Sequence, residues 1–145
     1  MALNGTLQRF IEAQKSSFQT ALSEIQQGKK RSHWMWYIFP QLQGLGVSET
    51  ARFYALTDLR EAEAFLHHPV LGPRLVQISS ALLSLASNDA HAIMGSPDDI
   101  KLRSSMTLFA ALPGAPPVFQ QVLDKFYHGA KDEKTVRLLA GPTNS

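Results

Sequence analysis

Leu7-Gln8-Arg9-Phe10-Ile11-Glu12-Ala13-Gln14-Lys15-Ser16-Ser17-Phe18-Gln19-Thr20-Ala21-Leu22-Ser23-Glu24-Ile25 sets large apolar side chains at Leu7, Phe10, Ile11, Phe18, Leu22 and Ile25. Steps of three and four residues stack those side chains along one face of an α-helix, whereas a strand needs alternation. The stretch therefore predicts helix, with Lys15-Ser16-Ser17 as a point where it divides in two. Gly28 suits the residue just past the helix end, because glycine takes the left-handed conformation without a Cβ penalty.

The same period continues along the chain. Ser32 is placed to cap a short helix through Phe39, stopped by Pro40. This run is apolar on all sides, so a buried strand fits it as well, and its helical neighbours favour helix. Gly44-Leu45-Gly46 reads as a loop. Ser48-Glu49-Thr50 opens a helix to about Ala55. Thr57 is the expected cap of the next, with Ala62, Phe65 and Leu66 as its apolar stripe and His67-His68-Pro69 at its end. Pro73 belongs to the first turn of a long helix whose core face is Leu75, Ile78, Leu82 and Leu85. Asp89 caps a short turn through Met94. Ser96-Pro97-Asp98-Asp99 predicts a further helix to about Leu112, with a serine cap, proline at the first position and an acid at the third. Pro113-Gly114-Ala115-Pro116-Pro117 is a rigid loop. Val118, Val122, Leu123 and Phe126 form another stripe, closed by Gly129. Asp132 caps a last helix through Leu139, ended by Gly141-Pro142. No alternating strand or hairpin pattern is present. The expectation is one all-α domain over residues 1–145, a compact array of about seven to nine short helices.

Bulk composition agrees. A chain of 145 residues buries roughly 70% of its unfolded surface on folding, enough for a core without staples. Its hydrophobic content is 44% and its charged content 18%, which does not describe a disordered chain. Cysteine is absent, so disulfides, thiolate nucleophiles and cysteine-ligated metal sites are excluded. The longest uncharged stretch, Ser104 to Leu123, is broken by Pro113, Gly114, Pro116 and Pro117 and cannot form a spanning helix. Met1-Ala2-Leu3-Asn4-Gly5-Thr6 lacks the basic and apolar regions of a signal peptide, so a cytoplasmic location without membrane contact is expected. Net charge is +2, a mild excess concentrated at Lys29-Lys30-Arg31. A dedicated nucleic-acid binder shows a longer basic stripe.

Two segments carry the unusual chemistry. In the first, Lys29-Lys30-Arg31-Ser32-His33 leads into Trp34, Trp36, Tyr37 and Phe39, then Gln41. Cations here can hold a phosphate and an indole can stack on a ring. His33 offers a general acid or base. The plainer reading is a buried aromatic turn with its cations in solvent. In the second, Ser96 to Phe109, Asp98 and Asp99 diverge by about 100° on a helix and suit its N-terminus. Lys101, Ser104, Ser105 and Thr107 either allow close helix packing or line a polar pocket. A serine nucleophile needs a base and an oxyanion hole that no local motif supplies. His67-His68 suits a helix C-terminus. His91 and His128 are isolated, and no metal-ligand spacing or phosphate-binding glycine motif occurs.

Gly28 to Gln41, then Gly44-Leu45-Gly46-Val47-Ser48, His68-Pro69-Val70-Leu71-Gly72-Pro73-Arg74-Leu75, and Gly95 to Phe109 together resemble one family. It is the uncharacterised, mainly bacterial domain of unknown function 1810. The resemblance runs from Arg9-Phe10-Ile11-Glu12-Ala13-Gln14 to the helix at Asp132–Leu139. It implies one all-α domain and no assigned activity or cofactor. The calpastatin label carried by some members is a mislabel: calpastatin inhibits through disordered repeats, and this chain reads as folded. The leading functional expectation is a small-molecule pocket for a phosphate- or nucleotide-like ligand, with catalysis left open. His33, Asp98 and Asp99 would handle protons. Arg31, Trp34, Trp36, Gln41, Lys101 and Ser104 would hold the ligand, without a metal or cofactor. This requires segments 33–41 and 98–107 to meet. The alternative is a non-catalytic module binding protein, or nucleic acid, which so short a basic run disfavours, through segment 29–41. Oligomeric state is left open.

Overall fold

A computed structural model of the chain describes residues 2–140, with side chains from Leu7 onward. The opening stripe forms one helix, α1 (Ala2–Gln26), without the expected division at Lys15-Ser16-Ser17. Lys15 and Ser16 face solvent, while Phe10, Phe18, Ala21, Leu22 and Ile25 are buried. Tertiary packing of that face carries the helix through these polar residues, and the half-buried Ser17 accepts from the Tyr37 hydroxyl at 3.0 Å. Gly28 ends it at φ 84°, where its N–H donates to the Ile25 carbonyl at 2.8 Å.

Eight further helices follow among the described residues: α2 (Met35–Ile38), α3 (Glu49–Tyr54), α4 (Leu59–His67), α5 (Leu71–Leu83), α6 (Ala90–Met94), α7 (Asp98–Ala110), α8 (Val118–Tyr127) and α9 (Glu133–Ala140). The fold is all-α, as the periodicity implies. A lone parallel bridge, Leu42 with Leu56, ties the loop after α2 to the end of α3. None of the described helices is long and apolar enough to cross a membrane.

The central element is α7. Its residues 104–109 are all buried, because α4, α6, α8 and α9 pack around it. A chain of rings crosses the core from α1 to α8. Phe10 meets Phe65 edge-on at 5.0 Å, Phe65 meets Phe109 at 5.6 Å, and Phe109 meets Phe119 at 5.7 Å. Such offset and edge contacts suit the ring quadrupole. At the α4–α5 junction a Cβ on Gly72 would lie 1.9 Å from the Leu66 carbonyl oxygen. Only glycine permits that approach.

Some helix starts are capped as read, and others are not. The Ser48 hydroxyl accepts from the Ala51 N–H, Asp89 from Ala92, and Asp132 from Thr135. Asp58, not Thr57, caps α4, accepting from the Glu61 N–H at 2.9 Å. Thr57 instead donates its N–H and hydroxyl to Glu61 Oε1, so Glu61 reaches back as in a capping box. Ser32 does not cap α2, whose preceding residue is Trp34; its hydroxyl is drawn to Glu24. Ser96 does not cap α7, which begins at Asp98 after Pro97 and stops at Ala110. His68 caps forward: its Nδ1 accepts from the Val70 and Leu71 N–H groups at the start of α5. The stop expected at Gly141-Pro142 lies outside the described residues.

Candidate functional site

The turn joining α1 to α2 is organised by a buried carboxylate. Glu24 sits on the apolar face of α1 and is 8% exposed. Its Oε1 accepts from the Arg31 N–H at 2.8 Å, the Ser32 N–H at 3.0 Å and the Trp34 indole N–H at 2.8 Å, and its Oε2 accepts from the Ser32 hydroxyl at 2.6 Å. Burial works against the charge, but bonds from the Ser32 hydroxyl, the Arg31 N–H, the Trp34 indole and the Ser32 N–H outweigh it. They hold the carboxyl at about 2. The turn is thereby pinned to α1, with Trp34 drawn inside.

A second tie joins this turn to α7. Lys30 Nζ lies 2.7 Å from Asp98 Oδ2, with side-chain exposures of 7% and 18%. The ammonium also donates to the Ser32 carbonyl at 2.5 Å and stands 5.0 Å from the Trp34 ring centroid. Lys101 approaches the other oxygen of Asp98 at 3.7 Å. Its Nζ also lies 5.1 Å from the centroid of the Trp36 ring, a cation–π distance. One carboxylate therefore faces two ammonium groups, and each of these stands over an indole.

Two clefts meet at Lys101 and Pro97. The first, about 360 Å³, is bordered by Arg31, His33, Trp36, Ser96, Asp98 and Lys101. The second, about 400 Å³, is bordered by Gln41, the loop through Leu45 to Ser48, and Ile100, Lys101 and Ser104 of α7. Each volume falls in the range of small-molecule sites, ~300–1,000 Å³. Among the described residues, the Arg31 guanidinium, His33 imidazole and Gln41 amide have no side-chain hydrogen-bond or ionic partner. The first cleft holds Lys30, Arg31 and Lys101 against Asp98, leaving a positive excess.

Seven of the nine residues singled out in the sequence border this groove. Arg31, His33, Trp36 and Asp98 line the first cleft, Gln41 and Ser104 the second, and Lys101 both. Trp34 and Asp99 do not. Trp34 is 1% exposed, packed in the core and bound to Glu24, so its ring is closed to a ligand. Asp99 turns the other way: one oxygen accepts from the Ile100 N–H at 2.9 Å and the other lies 3.5 Å from His91 Nδ1. The Asp99 carbonyl accepts from the Tyr127 hydroxyl at 2.5 Å. Burial, with the Asp99 charge, pushes that phenol above its ordinary range. No hydrogen bond or ion pair joins His33 to Asp98 among the described residues. Ser104 donates to the Ile100 carbonyl at 3.2 Å. Among the described residues no three His, Cys, Asp or Glu side chains gather as a metal site would require.

Two organising roles, those of Glu24 and of Lys30 turned inward, escaped the sequence reading. Glu24 carries a signal that could have found it: a carboxylate between Leu22 and Ile25 on a core-facing stripe needs buried donors. The inward turn of Lys30 has no such local mark, since its partner Asp98 lies far along the chain.

The family model described as "Protein of unknown function (DUF1810)" matches residues 4–139. The chain belongs to the DUF1810 family. This DUF1810 chain is similar to the conserved hypothetical protein Rv1873 from Mycobacterium tuberculosis, known from its crystal structure. The two share 45% identity over 92% of this chain and 96% of that one, with a TM-score of 0.90. No curated protein matches the chain. The DUF1810 assignment agrees with the all-α fold and carries no activity with it.

Proposed function

We propose that this protein binds a small phosphate- or nucleotide-like ligand in the groove between segment 31–41 and the start of α7. The observation that carries the reading is Lys101. Its ammonium is held at the seam of both clefts by Asp98 at 3.7 Å and by the Trp36 ring at 5.1 Å, while Asp98 is already engaged by Lys30 at 2.7 Å. Lys101 thus keeps donor capacity for an arriving anion, and the unpartnered Arg31 guanidinium borders the same cleft. A hydrogen bond between charged groups contributes ~1.5–3 kcal/mol. Two cations with an apolar wall suit an anion attached to a ring better than a bare ion. The rival reading, a binding module built on segment 29–41, is less well supported. Lys30 and Trp34, two of its anchors, are occupied inside the protein.

The test is calorimetric titration with inorganic phosphate and with ribonucleoside monophosphates, at low and moderate salt. Lys101→Ala and Arg31→Ala should each weaken nucleotide binding by about tenfold or more. Thermal denaturation should show the ligand raising the midpoint of the wild type more than that of either variant. Unchanged affinity in both variants would overturn the assignment.

A further inference from the structure

We propose that the second cleft is the specificity pocket of this site, that it takes the uncharged heteroaromatic ring of a phosphorylated ligand, and that Gln41 reads that ring. This rests on the anion-binding role of Lys101 and Arg31 in the first cleft, since it assigns the other end of the same ligand.

The second cleft differs in character from the first. Its lining includes Val47, 80% exposed, on the loop before α3 and Ile100, 57% exposed, on α7, with the charged residues Asp132 and Lys134 also at its border. Apolar side chains left in solvent at a cleft gain by covering a flat apolar face. The walls are firmly set. A Cβ on Gly46 would lie 2.5 Å from the Ala51 Cβ, so the loop lies close against α3. Ser48 is fixed by its cap on Ala51, and Ile100 and Ser104 stand on α7.

Gln41 is the polar group best placed to read a ring. Its backbone is clamped: the Leu56 N–H donates to the Gln41 carbonyl at 2.9 Å, and the Gln43 N–H donates to the Leu56 carbonyl at 2.7 Å. Its side-chain amide has no partner among the described residues. An amide offers a donor and an acceptor side by side, and a glutamine can pair both with the matching edge of a base. The same side chain borders a small gap beside Trp36, which connects it to the indole under Lys101. Ser104, by contrast, already spends its hydroxyl proton on the Ile100 carbonyl. A ligand with its phosphate at Arg31 and Lys101 and its ring against Val47 and Ile100 uses both clefts at once.

The experiment compares the four ribonucleoside 5′-monophosphates and ribose 5-phosphate on the wild type, Gln41→Ala, Gln41→Glu and Lys101→Ala, by calorimetry, with circular dichroism to confirm folding. The wild type should prefer one base, and Gln41→Ala should reduce that preference by about tenfold, as loss of a hydrogen-bonded pair predicts. Gln41→Glu keeps acceptors and loses the donor, so its order of preference should change. Retention of the wild-type preference in Gln41→Ala would overturn the role of Gln41. Equal binding of all four nucleotides, still dependent on Lys101, would overturn the specificity pocket and leave the anion site standing. Absence of binding by every probe would overturn both.

Discussion

Replacing Glu24 tests the device that shapes the groove. Four donors converge on this carboxylate, three of them N–H groups on Oε1. In Glu24→Ala the Trp34 indole and the turn's N–H groups lose their acceptor, and each buried orphan costs ~1–3 kcal/mol. Relaxation of the turn toward water recovers part of this, so we expect a loss of about 3–5 kcal/mol, as for breaking a buried charged pair. Glu24→Gln keeps an acceptor at Oε1, and the Ser32 hydroxyl can accept from the new amide. Only the charge assistance is lost, about 1–3 kcal/mol. The same site has a pH signature. Its carboxyl is lowered from 4.5 to about 2, so its contribution is fully present above pH 4.5 and disappears as the pH falls through 2. Linkage makes that contribution about 3 kcal/mol at neutral pH. Equilibrium urea denaturation, followed by far-ultraviolet circular dichroism and tryptophan fluorescence from pH 7 downward, measures both effects. Wild type and Glu24→Gln should converge in stability as the solution is acidified. A loss below 1 kcal/mol in Glu24→Ala, or a constant gap between wild type and Glu24→Gln in acid, would refute the reasoning.

Two further substitutions probe the frame. Gly72→Ala sets a methyl where the Leu66 carbonyl oxygen stands 1.9 Å away; separating α4 from α5 should cost about 2–3 kcal/mol in the same denaturation assay, by the overpacking scale. Ser105→Ala removes a buried hydroxyl that lacks a hydrogen-bond partner, so it should be neutral or stabilising by up to about 1 kcal/mol. A clear loss there would show that the hydroxyl is satisfied in solution.

Legibility followed the range of the interaction. The stripes of α1, α4, α5 and α8 are readable because a helix repeats its facing every few residues, and their buried members Phe10, Phe65, Ile78 and Val122 fall on it. The Asp89 and Asp132 caps are readable because donor and acceptor lie within one turn. The Lys15-Ser16-Ser17 break failed because packing outweighed local preference, and the Ser96 cap because α7 begins two residues later, at Asp98. Trp34 and Trp36 look equivalent in a run that is apolar on all sides. Glu24, ten residues earlier, draws one indole into the core and leaves the other beside Lys101.

The sequence by itself determined the helical class, the order of the helices and the two segments where unusual chemistry is concentrated. These depend on periodicity and neighbouring residues. Only the tertiary structure decided which members of those segments meet. It set Lys30 against Asp98, turned Asp99 toward His91 and brought Gln41 and Ser104 to the border of one cleft. The first and last of these join residues far apart in the chain, and the geometry of all three follows from how the helices pack around α7.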